Sequence, residues 1–342
     1  MKIKINNVFY IHFNDFTLTS PLDSVASSFS FTVRYDPKNK EHRELFRPLA
    51  FHGVEFYNDK GQVFFTGTIV SHNFNSKESP DLVQLSGYSL PGILEDCTIP
   101  YSAYPLESLS SSLKEITEKI LKNFGLVLRI DSSVAKEVNT PYKKSTAKPE
   151  GVVKDYLAKL AAQRNIILSH DIHGRLVYFR PDPDAKAIRF YNKENTTRMG
   201  LDISGQGMHS ELTILRQQPG KDKSNVSASD TIKNQLVKKY RPSVQLMTSG
   251  EETDTKAAVE NYLADELKNI KLDIDINRWD GMMTGDIIEV QNDEIFIHKK
   301  TRFMVASTTI SENSDGRTMS ISAVLPESFI GKTPKNIFDD IN

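Results

Sequence analysis

Residues 255–290 read TKAAVENYLADELKNI (255–270) and then KLDIDINRWDGMMTGDIIEV (271–290). In the first stretch Val259, Tyr262, Leu263 and Leu267 recur at steps of three and four, the spacing of one apolar helix face. In the second, Leu272, Ile274 and Ile276 alternate with charged residues, the period of a strand with one face buried. Trp279-Asp280-Gly281 supplies a turn, and Gly285-Asp286 opens a strand-rich tail that closes at Leu325-Pro326. The C-terminal third therefore reads as a β region entered through a single helix.

Outward from that stretch, residues 1–98 carry short alternating runs such as Phe29-Ser30-Phe31-Thr32-Val33, with turn chemistry at Asn58-Asp59-Lys60-Gly61, and predict a first β domain. Leu106, Leu109, Leu113, Ile116, Ile120 and Phe124 predict a helix that Gly125 ends in the left-handed conformation. A strand from Leu126 to Ile130 follows, then a polar stretch from Ser132 to Lys148. A second helix carries Val153, Tyr156, Leu157, Leu160 and Ala161, and Ile166-Ile167-Leu168 is expected to pair with Leu176-Val177-Tyr178 across the turn Asp171 to Gly174. Residues 99–182 thus form a small α/β domain. A second β domain is expected over 183–216 and 272–330, interrupted by a loop and helix insertion at 217–271 with an exposed loop from Pro219 to Asp230, and followed by a tail at 331–342. Gly53 to Pro91 and Gly285 to Pro326 share one grammar, strand, turn, Phe-containing strand, polar turn, alternating strand, Leu-Pro, which suggests an internal duplication.

Tyr240-Arg241-Pro242, the helix Ala257 to Leu267, Trp279-Asp280-Gly281, Gly285-Asp286 and Gly316-Arg317-Thr318, in that order, resemble the hub protein of contractile phage tail baseplates, of the Mu type. Upstream, Ser86-Gly87-Tyr88-Ser89 with Leu94-Glu95-Asp96-Cys97, Glu150-Gly151-Val152-Val153 and Gly174 to Pro181 are similar to further passages of that family. The resemblance implies an α+β fold in which two related β-barrel-like domains form a ring wall, with the α/β domain and the helical insertion outside it. It implies a homotrimer between a sixfold tail tube and a threefold central spike, with other baseplate proteins as neighbours and a channel for the tape-measure protein and then DNA. The expected place is the tail baseplate of a virion made in the host bacterial cytoplasm. The related hubs of non-contractile tail tips and of bacterial contractile injection systems, type VI secretion spikes among them, share the fold; a chain closing soon after its second β domain suits a separate spike protein better than a fused one. A tail-associated peptidoglycan hydrolase is the alternative from another class.

Composition agrees with a structural part. The 342 residues suffice for two or three domains. Forty-three basic residues against 44 acidic ones leave a net charge of -1, with no basic excess to drive nucleic-acid binding. The lone cysteine, Cys97, excludes an intramolecular disulfide. The N-terminus lacks an apolar signal core, and no window has the roughly 18 apolar residues of a membrane span.

Candidate chemical motifs give way to ordinary explanations. His170-Asp171-Ile172-His173 has ligand chemistry, but strand positions three apart face opposite sides, which favours a turn with exposed polar residues. Asp273-x-Asp275-x-Asn277 starts like a calcium loop, yet Arg278 replaces the required glycine and Thr284 the bidentate glutamate. Gly87-Tyr88-Ser89-Leu90-Pro91 lacks a nucleophile elbow's second glycine, and Gly205-Gln206-Gly207 has Ser210 where a dinucleotide fingerprint needs its third glycine. Cys97 follows two acids that disfavour a thiolate and suits a small buried apolar role. Paired acids such as Glu251-Glu252 or Asp265-Glu266 could be cast as glycosidase carboxylates, yet adjacent acids on a helix suit its solvated face. No catalytic, cofactor or metal site is expected. The structural or interface candidates are Trp279, Gly285, Asp286, Arg241 and Pro242. Trp279 is either an anchor packing its turn onto the barrel or an intersubunit contact, and the resemblance favours the anchor.

Overall fold

The computed structural model describes residues 1–76, 81–104, 107–142, 144–217, 226–246 and 255–338. The N-terminal unit comprises β1 (Lys2–Ile5), β2 (Val8–Tyr10), β3 (Phe13–Pro21), β4 (Ser28–Arg34), α1 (Lys40–Leu45), β5 (Gly53–Tyr57), β6 (Val63–Phe74) and β7 (Leu82–Ser89). Alternation puts Phe29, Phe31 and Val33 of β4 on one buried face. Their neighbours are aromatic: Phe56 meets the Phe16 ring edge-on at 5.1 Å and stacks on Phe65 at 4.8 Å. Such pairs add directional contacts to the burial of large rings.

The middle unit holds α2 (Ile93–Asp96), β8 (Glu107–Leu109), α3 (Leu113–Leu121), β9 (Leu128–Ile130), α4 (Ala135–Asn139), β10 (Lys144–Thr146), α5 (Val153–Ala162), β11 (Ile167–His170) and β12 (Leu176–Phe179). β12 pairs antiparallel with β11 and parallel with β9. The helix expected from Leu106 starts only at Leu113, because Ser112 and Glu115 close a reciprocal capping box there. Leu106 lies outside the described residues, and Leu109 is exposed on β8, which pairs with β10. Gly125 does end the helical segment, at φ 65°. The polar stretch 132–148 contains α4 and β10 and buries Tyr142, whose hydroxyl donates to the Leu160 carbonyl at 2.7 Å.

The C-terminal unit runs through β13 (Arg189–Tyr191), β14 (Arg198–Ile203), β15 (Glu211–Gln217), β16 (Val226–Lys233), β17 (Pro242–Leu246), α6 (Thr255–Leu267), β18 (Ile270–Ile276), β19 (Ile287–Asn292), β20 (Ile297–Asn313) and β21 (Gly316–Val324). β15 is the centre of a separate three-stranded sheet, antiparallel to β16 and parallel to β17. Val259, Leu263 and Leu267 of α6 pack with Leu212 and Ile214 of β15. The insertion at 217–271 therefore holds strands as well as a helix. Of the loop expected from Pro219 to Asp230, residues 219–225 lie outside the described residues and 226–230 begin β16. Its run of serine, aspartate and threonine conceals a strand whose ladder, not its side-chain pattern, fixes its path.

The molecule is α+β and mostly β, but its two strand-rich regions are not separate sheets. A 13-stranded sheet runs β14-β18-β21-β20-β3-β4-β7-β6-β5-β1-β2, with β19 beside β20 and β13 beside β19. With the edge strand β2 left out and the others numbered by their order within each half, β3-β4-β7-β6-β5-β1 and β14-β18-β21-β20-β19-β13 both run 2-3-6-5-4-1. The long middle strand of each half breaks register at the same place, between Ile69 and Ser71 against β7 and between Val305 and Ser307 against β21. After the break the pairs are Ser71 with Ser86 and Ser307 with Ser322. The halves differ in that β1 is antiparallel to β5 whereas β13 is parallel to β19.

Candidate functional site

The joint between the halves is a ladder between β3 and β20. The first part of β20 pairs with β19, from Ile287↔Met304 to Asn292↔Ile297, and the second with β3, from Ser307↔Pro21 to Glu312↔Phe16. Across the joint Ile310 opposes Leu18, and the Oγ1 atoms of Thr19 and Thr309 lie 3.1 Å apart. Trp279 sits over this seam. Its ring lies 6.2 Å from Phe16 and 6.3 Å from Phe64, and its Nε1 donates to the carbonyls of Ser311 and Thr318, each at 3.1 Å. The indole, partly buried, thus packs against the cores of both halves. Its turn is pinned by Asp280, which accepts from Arg278 at 2.8 Å and from the Tyr191 hydroxyl at 3.0 Å.

Above the indole, the Arg317 guanidinium stands 4.6 Å from the ring. Its nitrogens bond both carboxylate oxygens of Asp59 and reach Glu312 at 3.0 Å. The N-terminal ammonium of Met1 reaches Asp59 at 2.6 Å. The Arg317 hydrogen bonds, reinforced by the ammonium, hold the Asp59 carboxyl well below the usual carboxylate range. Asp59 is largely exposed, so solvent screens the pair and its role is to fix geometry more than to add stability.

Gly285 and Asp286 mark the other end of the joint. Gly285 sits at φ 90°, a backbone that L side chains rarely adopt, and a Cβ there would touch Leu22 at 3.5 Å. Leu22 follows β3 and donates its N–H to the Ala306 carbonyl at 2.8 Å. The Asp286 carboxylate accepts from the Met283 N–H at 2.7 Å, and burial pushes its pKa up. The structure thus gathers Trp279, Gly285 and Asp286 at one ladder. Arg241 and Pro242 stand apart, in the small sheet, where Arg241 Nε donates to the Met208 carbonyl at 3.1 Å and Pro242 starts β17.

Where the middle unit meets the joint, a cleft of about 710 Å³ is lined by residues including Leu18, Ser27, Arg129, His170, Trp279 and Met282. It holds a pair hidden in the sequence by a separation of 143 residues: Ser27 Oγ and His170 Nε2 lie 2.6 Å apart. A serine and histidine at that distance have the form of a nucleophile and base, but the other partners differ from that use. His170 Nδ1 donates to the Ser24 backbone carbonyl at 3.0 Å where a triad has a carboxylate, and Ser27 is buried and also bonded to Ser20 Oγ at 2.8 Å. The arrangement pins β11 to the corner between β3 and β4. His170 is therefore part-buried and bonded, not an exposed turn residue, and burial pushes its pKa down.

Other candidates fall where strand and helix geometry put them. Asp273 and Asp275 point away from the buried Leu272, Ile274 and Ile276, and Asp275 pairs with Arg198 at 3.2 Å. Cys97 is half-buried, not enclosed. Asp265 is on the solvated face of α6, but Glu266 is buried and holds the N–H of His209 at 2.8 Å and its Nδ1 at 2.6 Å. Among the described residues there is no cluster of three metal-ligating side chains, and no helix is long and apolar enough to cross a membrane.

No family model and no curated protein matches the chain. Solved structures do. The 43 kDa tail protein of prophage MuSo2 from Shewanella oneidensis is similar with a TM-score of 0.79 at 19% identity, over 96% of this chain and 99% of that one. The tail protein from Neisseria meningitidis MC58 gives 0.75 at 18% identity, over 96% and 98%. The E. coli c3393 protein, a component of the type VI secretion system with structural similarity to the T4 tail proteins gp27 and gp5, gives 0.55 at 13% identity, over 98% and 80%. At these identities it is the fold that is shared, and over 96% of its length this chain has the fold of the two tail proteins.

Proposed function

We propose that the chain is a structural phage tail protein, the baseplate hub: a homotrimeric ring that joins a sixfold tail tube to a threefold central spike around a channel for tape-measure protein and DNA. The observation that carries this reading is the repeated strand order, two halves that share one six-strand order and are joined edge to edge within one chain. Three such chains in a closed ring present six similar units on one face and three true copies on the other. The tail tube, the spike and neighbouring baseplate proteins are the partners this implies, and the tail baseplate the location. The Ser27–His170 pair favours no hydrolase, since its serine is enclosed and its histidine is oriented by a backbone carbonyl. The near-complete coverage of the prophage tail protein, against 80% of the type VI component, supports a tail over an injection system. Light scattering across a concentration series, with electron microscopy of the same sample, tests the reading: a threefold ring with a central hole is expected, and compact monomers at every concentration would overturn it. Zymography on peptidoglycan is expected to be blank.

A further inference from the structure

Both strands of the intrachain joint have counterparts elsewhere in the chain. Bulge for bulge, Ser71 to Phe74 of β6 correspond to Ser307 to Ile310 of β20. Pairing through β4 and β18 makes Leu201 and Asp202 of β14 correspond to Leu18 and Thr19 of β3. The approach to the joint corresponds too: the Val305 N–H donates to the Asp286 carbonyl at 2.9 Å, and the Ile69 N–H to the His52 carbonyl at 3.0 Å. The residues before those carbonyls, Gly285 and Phe51, both have positive φ, 90° and 51°. In the C-terminal unit this edge carries β3. In the N-terminal unit, Ser71–Phe74 pair with β7 on one side and, among the described residues, with no strand on the other. β14 in turn pairs with β18 on one side and, among the described residues, with no strand on the other.

Burial records what is missing. Phe16 and Leu18 on β3 are 0% and 5% exposed. Their counterparts Met199 and Leu201 on β14 are only half-buried, and Ile203 is 48% exposed. At the receiving edge Phe74 is 41% exposed and Phe51 55%. An unpaired edge bordered by apolar side chains is a template for another strand.

We infer that β14 of one copy of this chain adds antiparallel to the free half-edge of β6 in a second copy, in the register of the intrachain joint: His72 opposite Ile203, Asn73 opposite Asp202 and Phe74 opposite Leu201. This rests on the ring reading and names the contact that closes it. The interface is head-to-tail, so it closes only when the rotation per copy divides a full turn. If the step between copies repeats the step between halves, every seam in the ring is the same ladder.

The pair Asn73 and Asp202 corresponds to Thr309 and Thr19, whose side chains touch. Full-length protein carrying Cys97→Ser, Asn73→Cys and Asp202→Cys is oxidised and run on a non-reducing gel. Covalent trimers that collapse to monomers on reduction are expected, with at least about five-fold less product from Ser71→Cys with Asp202→Cys, two residues out of register and beyond disulfide reach. Ile203→Asp, at an exposed strand end, is expected to fold and to lose the trimer. A trimer by light scattering whose cross-linking does not exceed the out-of-register control, or that survives Ile203→Asp, would overturn this contact and leave the ring reading standing. A monomer at the highest soluble concentration, with neither pair cross-linking, would overturn both.

Discussion

Trp279 donates to two carbonyls and packs its ring into two cores, so substitutions there separate the two roles. Trp279→Phe keeps a ring and loses the hydrogen bonds, at about 1 kcal/mol. Trp279→Ala also leaves a cavity, at about 3 kcal/mol, and urea denaturation should rank the variants in that order. His170 carries a pH dependence. Burial lowers its folded-state pKa while the Ser24 carbonyl and the charges of Asp171 and Glu95 act the other way. Its contribution is full above the free imidazole value of about 6.5 and is lost as pH falls, because the unfolded chain then takes up a proton that the folded chain refuses. Thermal midpoints should fall between about pH 7 and pH 5 less steeply in His170→Gln than in the parent. The turn at Trp279-Asp280-Gly281 could be read in the sequence because turn chemistry is local, whereas the ring's partners Phe16 and Phe64 could not. Ser27–His170 and Asp59–Arg317 could not, since their partners are 143 and 258 residues away.

At the scale of elements, α3 owes its start to a capping box, and the 3-10 turn that continues it from Lys122 to Phe124 ends at the left-handed Gly125. Ser112→Ala should cost about 1 kcal/mol. Gly125→Ala should cost a similar ~1 kcal/mol through backbone strain alone, since a Cβ there meets no atom within 4 Å. Both are measurable by denaturant titration. The alternation that marks β4 and β18, and the helical spacing that marks α5 and α6, are written in large apolar side chains and could be read directly. β8, β16 and β17 carry no such stripe: Leu109, Val244 and Leu246 are all exposed, so hydropathy alone does not set them apart from loop. The apolar steps at Leu106 and Leu109 extended the helix too far, whereas Ser112 with Glu115 three residues later was the truer boundary signal.

For the whole molecule, the β3·β20 ladder joins the two halves in one sheet, and they should unfold together. Leu18→Ala, deep in the joint and opposite Ile310, should cost about 3 kcal/mol and move the transitions seen by Trp279 fluorescence and by far-UV circular dichroism together. Midpoints that separate would show that the halves unfold independently. The likeness of Gly53–Pro91 to Gly285–Pro326 was legible as grammar. That the two lie in one sheet was not, because strand alternation shows which face is buried but says nothing of which edge meets which.

Thr19 waits for Thr309, 290 residues further along the chain. At a translation rate of about 5–20 residues per second, the β3 edge emerges from the ribosome roughly 15–60 seconds before the strand that covers it exists. During that interval nascent chains on one messenger present open edges to one another, the usual route to misassembly. A chain of residues 1–98 expressed alone should therefore accumulate as aggregate, and adding the complementary 99–342 chain during synthesis should keep more of it in solution.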